Sequence, residues 1–183
     1  MANTGSAKSR ILGYKSAVYG IALFLLATLQ TAFFTKINVL GAPPDLLLGA
    51  VLTVAMLDEH RVAAIVGIIS GFLYCALGST ALPLYIAFSF VCGYVLWGIS
   101  EKILSKNYPS FLALALLTYG AKALWNVIET SLFAQSFNLI GTVIHTVIPE
   151  FISSMVFCSL SYLIFKSISK LFNKKSRKEY IKQ

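Results

Sequence analysis

Charged residues are scarce in this chain of 183 residues. Only 12% of the residues are Asp, Glu, Lys or Arg, and seven of the 183 are acidic. A soluble domain needs a polar shell and a disordered chain needs low hydropathy, whereas 57% of this sequence is hydrophobic and its mean hydropathy is +0.78. The composition therefore excludes both classes and indicates a membrane protein.

Cysteine is also scarce, and the common catalytic motifs are missing. The three cysteines, Cys75, Cys92 and Cys158, lie in apolar runs without a Cys-x-x-Cys pair, so they predict neither a metal site nor a redox site. Neither His60 nor His145 has a second histidine four residues away, and the chain has no nucleophile elbow, phosphate loop or dinucleotide fingerprint. We therefore expect no enzyme and no cofactor.

The basic excess is explained better by membrane topology than by nucleic acid. The formal charge is +8, but the lysines and arginines stand at the ends of apolar segments and form no patch with interleaved aromatic residues. We expect the lipid bilayer, and no nucleic acid, to be the partner of these charges.

Six apolar runs organise the chain. None shows the two-residue alternation of a barrel strand, so their backbone hydrogen bonds must close inside helices. The sequence predicts an all-α membrane protein, a compact bundle of six transmembrane helices over residues 17–166, with tails at 1–16 and 167–183. The second and third runs are short, which leaves a re-entrant helical pair as the alternative to two crossings. The runs cover residues 17–35, 44–57, 62–77, 82–100, 109–129 and 144–165.

The distribution of lysine and arginine predicts the orientation, because these residues resist translocation. With the N-terminus in the cytoplasm, only Lys36 falls outside and Lys122 lies within the fifth run. Both termini are therefore predicted to be cytoplasmic. The basic residues on the cytoplasmic side are then Lys8, Arg10, Lys15, Arg61, Lys102, Lys106, Lys166, Lys170, Lys174, Lys175, Arg177, Lys178 and Lys182.

A polar stripe marks the fifth run. Lys122, Trp125, Asn126 and Glu129 follow one another at i, i+3, i+4 and i+7, which places them on one helical face. Such a face should point into the bundle, and Glu150 in the sixth run lies at a matching depth. We predict an ion pair between Lys122 and Glu150, with Glu129 near the outer surface. The cluster has two interpretations, an internal clasp or a site for a small molecule or a proton.

Three further residues invite a structural interpretation. Asp45 follows two prolines at the start of the second run, where a carboxylate caps a helix; a role in transport or catalysis is the alternative. Gly67 and Gly71 stand four residues apart in the third run and form a smooth ridge. This ridge predicts close helix packing within the bundle, or else a face for a partner.

One ordered set of residues extends from the first run to the sixth and is densest between Leu29 and Gly93. Its members are Leu29, Gln30, Thr31, Phe33, Phe34, Ile37, Leu40, Gly41, Pro44, Asp45, Leu46, Leu47, Leu48, Gly67, Gly71, Tyr74, Gly93, Tyr94, Ile148 and Pro149. This set resembles the rod shape-determining protein MreD family of bacteria. The resemblance depends on the combination of motifs, because each one alone consists mostly of Leu, Gly and Pro.

The resemblance implies a small multi-pass protein of the bacterial plasma membrane. Such a protein would be a non-enzymatic component of the elongation complex that guides lateral peptidoglycan synthesis. Its implied partners are an MreC-like bitopic protein, other cell-shape machinery and the wall synthases.

Two departures from the family pattern keep a second function open. Many family members have an Asp where this chain has Cys75, and the charged residues Lys122 and Glu150 are not typical of the family. MreD-like proteins resemble in architecture the substrate-binding S components of energy-coupling-factor vitamin transporters. On that alternative, Lys122, Trp125, Asn126, Glu129 and Glu150 would form a vitamin pocket.

Overall fold

The computed structural model describes residues 4–34, 42–77, 84–103, 106–133, 141 and 143–181. All regular secondary structure in these ranges is helical, which confirms the all-α class. A π-helical turn over Gln30–Phe34 continues α1, and another over Val143–Val147 leads into α6. The α-helices are α1 (Thr4–Leu29), α2 (Leu46–Leu57), α3 (His60–Ala76), α4 (Leu84–Ile103), α5 (Tyr108–Phe133) and α6 (Ile148–Ile181).

Within the described ranges, four segments are long and apolar enough to cross a membrane. They are Gly13–Phe34, Leu84–Lys102, Tyr108–Glu129 and Val143–Phe172, while α2 and α3 are apolar but shorter. The short second and third runs of the sequence thus correspond to short helices. The helices α1 and α6 continue without a break through the predicted tail boundaries at 16/17 and 166/167.

The short helix α2 is the centre of the bundle. It packs against all five other α-helices, and every residue from Leu46 to Met56 is buried. Eleven consecutive buried positions require an apolar or small residue on every side of the helix, and the sequence LLLGAVLTVAM meets that requirement. The other helices therefore shield α2 from the surroundings, and their outward faces carry the large exposed apolar side chains.

The glycine ridge is used inside the bundle, between α3 and α4. A Cβ atom built on Gly67 would lie 2.5 Å from the Ser89 carbonyl oxygen, and one on Gly71 would lie 2.7 Å from the Ile86 Cα. The two backbones can approach this closely only because both ridge positions lack a side chain. Of the two interpretations of the ridge, the structure confirms close packing within the chain.

A buried ion pair lies at the C-terminal end of α2. Asp58 follows the last residue of this helix, and its carboxylate accepts hydrogen bonds from Lys15 Nζ and Tyr19 Oη of α1. A negative charge at a helix C-terminus is opposed by the helix dipole, so the lysine is needed to balance it. The side chains of Lys15 and Asp58 are 11% and 5% exposed, which makes this a buried pair.

We expect Lys15→Met to destabilise the bundle by about 1–3 kcal/mol, because it leaves the Asp58 carboxylate buried without its cation. Thermal unfolding in detergent, followed by circular dichroism, measures the loss. The exposed Lys102 provides the control, since Lys102→Met should leave the melting temperature nearly unchanged. Adding Asp58→Asn to Lys15→Met should restore part of the stability, and a further drop would argue against the pairing.

Two of the lysines predicted to be cytoplasmic, Lys15 and Lys106, lie at the same end of the bundle. Lys15, Glu101 and Lys106 line the same open cleft as the α2–α3 turn. The middle of α6 approaches the start of α5 near this end, where the rings of Tyr108 and Tyr162 have centroids 5.5 Å apart. The chain therefore runs up and down, and Lys15 of α1 lines the same cleft as the last turns of α4.

Candidate functional site: a buried lysine cluster

The start of α2 is buried, and side chains from three other helical segments satisfy its backbone. The Leu46 amide donates to Gln30 Oε1 at 2.9 Å, and the Asp45 amide donates to Ser154 Oγ at 2.8 Å. The Asp45 carbonyl oxygen accepts from Tyr119 Oη at 2.7 Å. A helix terminus away from water needs such partners, because its first amides have none within the helix.

The Asp45 carboxylate has two roles at this point. Its Oδ1 accepts from the Leu48 amide at 3.0 Å, which confirms the predicted helix cap. Its Oδ2 accepts from Tyr85 Oη and from Lys122 Nζ, each at 2.5 Å. The carboxylate is fully buried, so the cap is also one half of a buried ion pair.

Lys122 lies between two carboxylates. Its Nζ is 2.6 Å from Glu150 Oε1, which confirms the predicted ion pair, and 2.5 Å from Asp45 Oδ2. The ammonium also donates to Tyr74 Oη at 3.1 Å and lies 4.6 Å and 5.3 Å from the ring centroids of Tyr74 and Tyr85. All three of its protons thus have an acceptor, and the rings add cation–π attraction. We call Asp45, Tyr74, Tyr85, Lys122 and Glu150 the Lys122 cluster.

Both carboxylates of the Lys122 cluster stand at helix N-termini. Asp45 caps α2 and Glu150 lies in the first turn of α6. Each therefore faces the positive end of a helix dipole, which offsets the excess of one negative charge when all three ionisable groups are charged. Asn126 completes the site by donating from Nδ2 to Glu150 Oε2 at 2.8 Å.

The remaining residues of the predicted stripe lie beside this cluster. The Trp125 ring stacks on Phe88 with centroids 5.5 Å apart, and its buried Nε1 has no hydrogen-bond partner among the described residues. Glu129 is partly buried, one turn beyond Asn126 on α5. The ion pairs of Lys122 go to Asp45 and Glu150, so the core of the stripe is Lys122 and Asn126.

The cavity that the described residues form beside Lys122 is small. The cavity between Lys122, Asn126 and Glu150 measures about 10 Å³, which is room for about one water molecule. Among the described ranges, no three His, Cys, Asp or Glu side chains are arranged to hold a metal ion. The arrangement can neutralise charge and bind helices together.

Sequence reasoning missed the pairing of Lys122 with Asp45 and the contributions of Tyr85 and Tyr119. The useful signal was the length of the second run. A helix of 12 residues rises about 18 Å, so one of its ends must lie well inside a hydrocarbon layer of about 30 Å. Asp45 at that end needs a cation at the same depth, and Lys122 is the lysine within a predicted span.

Comparisons with known protein families, with curated proteins and with solved structures found no match for this chain.

Proposed function

We propose that the chain is a multi-pass protein of the bacterial plasma membrane, with six helices in the bilayer and both termini cytoplasmic. The support is the position of Lys15 and Lys106 at the same end of the bundle and the large apolar side chains on its outer faces. Apolar surface of this extent needs a lipid environment, and the positive-inside rule assigns the basic end to the cytoplasm.

In this membrane placement, the rise of α1 from Lys15 to Gln30 gives the depth of the Lys122 cluster. Lys15 marks the basic end of α1, and Gln30, 15 residues later, contacts the start of α2. The helix rises about 22 Å over that distance. In a hydrocarbon layer of about 30 Å, the Lys122 cluster then lies about 8 Å below the opposite surface.

We further propose that the protein is a non-enzymatic component of a cell-shape complex that guides lateral peptidoglycan synthesis. The observation that carries this proposal is the position of the residues that resemble the MreD family. Gln30 and Asp45 organise the start of α2, Gly67 and Gly71 set the spacing of α3 and α4, and Tyr74 contacts Lys122. Because these residues all take part in one structural framework, a fold shared with the family explains the resemblance better than chance does.

In this function the protein acts by assembly. The buried α2, closed at each end by an ion pair, makes a rigid frame whose outer helices are free to contact other membrane proteins. An MreC-like bitopic protein is the first expected partner, with wall synthases and other cell-shape proteins beside it. Cys75 follows Tyr74 on α3 and is partly buried, so the chain lacks the usual family acid at that position.

Affinity purification from membranes tests this role. We expect a tagged full-length chain to recover an MreC-like protein, and we expect depletion of the chain to convert rods into round cells. A tagged, unrelated membrane protein of similar size is the control. Recovery of a coupling subunit with ATPases, without an MreC-like protein, would instead establish the transporter alternative.

The vitamin-transporter alternative is less favoured by the small cavity beside Lys122. A vitamin needs a pocket many times larger than one water molecule, whereas this cavity is about 10 Å³. Fluorescence of Trp125, read in a Trp97→Phe background, provides a direct check. A saturable quench by a water-soluble vitamin would contradict the scaffold role, and constant fluorescence would agree with it.

A further inference from the structure

Acidic side chains converge on one cleft at the basic end of the bundle. The chain has seven acidic residues, and three of them, Asp58, Glu59 and Glu101, line an open cleft of about 380 Å³. Lys15, Lys106, His60 and Trp97 line it too. The cleft therefore combines both signs of charge with an aromatic wall, at an end of the molecule that is otherwise cationic.

The cleft lies where a bilayer would meet water. Trp97 and Glu101 are in the last turns of the apolar segment Leu84–Lys102, and Lys15 is near the start of Gly13–Phe34. Lys106 comes two residues before the next segment, Tyr108–Glu129. Tryptophan and lysine are both typical of the headgroup region.

Two carboxylates in the cleft have hydrogen-bond capacity to spare. Asp58 is occupied by Lys15 and Tyr19. Glu101 lies 3.8 Å from Lys106, too far for a hydrogen bond, and its side chain is 55% exposed. Glu59 stands at the N-cap of α3, but its side chain does not cap that helix.

An aromatic pair and a lysine form the rest of the wall. The rings of His60 and Trp97 have centroids 5.0 Å apart. Lys106 is half exposed and held only loosely by Glu101, so its ammonium is available to an anion. The cleft thus offers carboxylates that can accept hydrogen bonds from a cation and, 3.8 Å from Glu101, the Lys106 ammonium that can donate to an anion.

We infer that this cleft binds the headgroup of a lipid with a primary ammonium, namely phosphatidylethanolamine. The ammonium donates hydrogen bonds to Glu59 and Glu101, and the lipid phosphate accepts one from Lys106. A choline headgroup has no N–H to donate, and an anionic glycerol headgroup would face carboxylates without a cation of its own. The inference rests on the membrane placement proposed above and is independent of the cell-shape role.

Native mass spectrometry of the full-length protein tests this inference. The protein is extracted in detergent, mixed with equal amounts of phosphatidylethanolamine, phosphatidylcholine and phosphatidylglycerol of the same acyl chains, and analysed for retained lipid. We expect phosphatidylethanolamine to be retained about three- to tenfold over phosphatidylcholine, the range of an exposed to a partly buried charged hydrogen bond. The double variant Glu59→Gln with Glu101→Gln should abolish that preference.

Glu129→Gln is the matched control. It makes the same chemical change near the C-terminal end of α5, whereas the cleft lies near the N-terminal end of that helix. It should retain the preference, and circular dichroism should show that all variants keep their helices. Equal retention of the ethanolamine and choline lipids by the wild-type chain would overturn the inference, as would a preference for phosphatidylglycerol. Displacement of bound lipid by a tetralysine peptide, without any preference among the lipids, would assign the cleft to a basic protein segment instead. Recovery of the chain in the soluble fraction of cells would refute the membrane placement separately.

Discussion

Lys122→Met should lower the free energy of unfolding by about 3 kcal/mol or more, enough to prevent stable extraction in many detergents. Asp45 and Glu150 would then remain buried without a counter-ion, and removal of one partner from a buried ion pair typically costs about 3–5 kcal/mol. The Asp45 carboxylate is fully buried, so water cannot compensate for the lost ammonium. Thermal unfolding in a mild detergent, with circular dichroism as the signal, measures the loss.

A set of multiple variants shows whether the loss comes from the ion pairs. Lys122→Met with Glu150→Gln should recover part of the stability, and the triple variant that also carries Asp45→Asn should recover more, since no charge is then left unpaired. Lys102→Met, at an exposed position on α4, is the control for loss of a lysine. Strictly additive losses in the multiple variants would contradict the Lys122 cluster.

Gly67→Ala is the second substitution for which we expect a large effect, a destabilisation of about 1–3 kcal/mol. The new Cβ would lie 2.5 Å from the backbone carbonyl oxygen of Ser89. Backbone atoms of a packed helix cannot yield as a flexible side chain can, so α3 and α4 must move apart. The melting temperature of the purified variant reports this change.

Gly120→Ala is the matched control on α5. A Cβ built on Gly120 meets no described heavy atom within 4 Å, so alanine should raise stability by up to about 1 kcal/mol through its better helix propensity. If Gly67→Ala lowers the stability and Gly120→Ala raises it, close packing at Gly67 and not the general loss of a glycine explains the destabilisation. A Gly67→Ala protein as stable as the wild type would show that the two helices are not in close contact.

The position of the central helix α2 explains why the loss of Lys122 should have a large effect. Each end of α2 has an aspartate, and each aspartate pairs with a lysine from another helix, Lys15 of α1 and Lys122 of α5. Apolar contacts alone would let α2 slide or rotate, because most of its faces are equally apolar. Among the described residues each of these aspartates pairs with a single lysine. Such a buried pair defines the register of the helix, as single polar residues do in coiled coils.

Much of the fold was predictable from local patterns. Runs without two-residue alternation predicted helices, and Pro44 and Asp45 predicted a helix start that the structure confirms. The depth match between the fifth and sixth runs predicted the pairing of Lys122 with Glu150, which lie 2.6 Å apart. These predictions depend on spacing along one helix or on rise per residue, and both quantities can be computed from the chain alone.

The partners of Asp45 were not predictable in this way. Lys122 is 77 residues away along the chain and Tyr85 is 40 residues away, and no spacing rule connects such positions. Their meeting depends on which face α5 and α4 turn toward α2. The same holds for the acidic residues of the cleft, Asp58, Glu59 and Glu101. In the sequence they look like ordinary polar residues of turns and helix ends, and only the packing of the helices places them in one cleft.

The sequence by itself determined the helical class, the apolar segments and the residues too polar to face lipid. It could do so because burial of the backbone in hydrocarbon permits few structures and because charge is costly there. Only the tertiary structure decided that α2 lies at the centre, that Asp45 shares Lys122 with Glu150, and that Gly67 faces the α4 backbone. Those outcomes depend on the rotation and order of helices, which are selected by the summed packing of many side chains and by the need to satisfy every buried polar group at once.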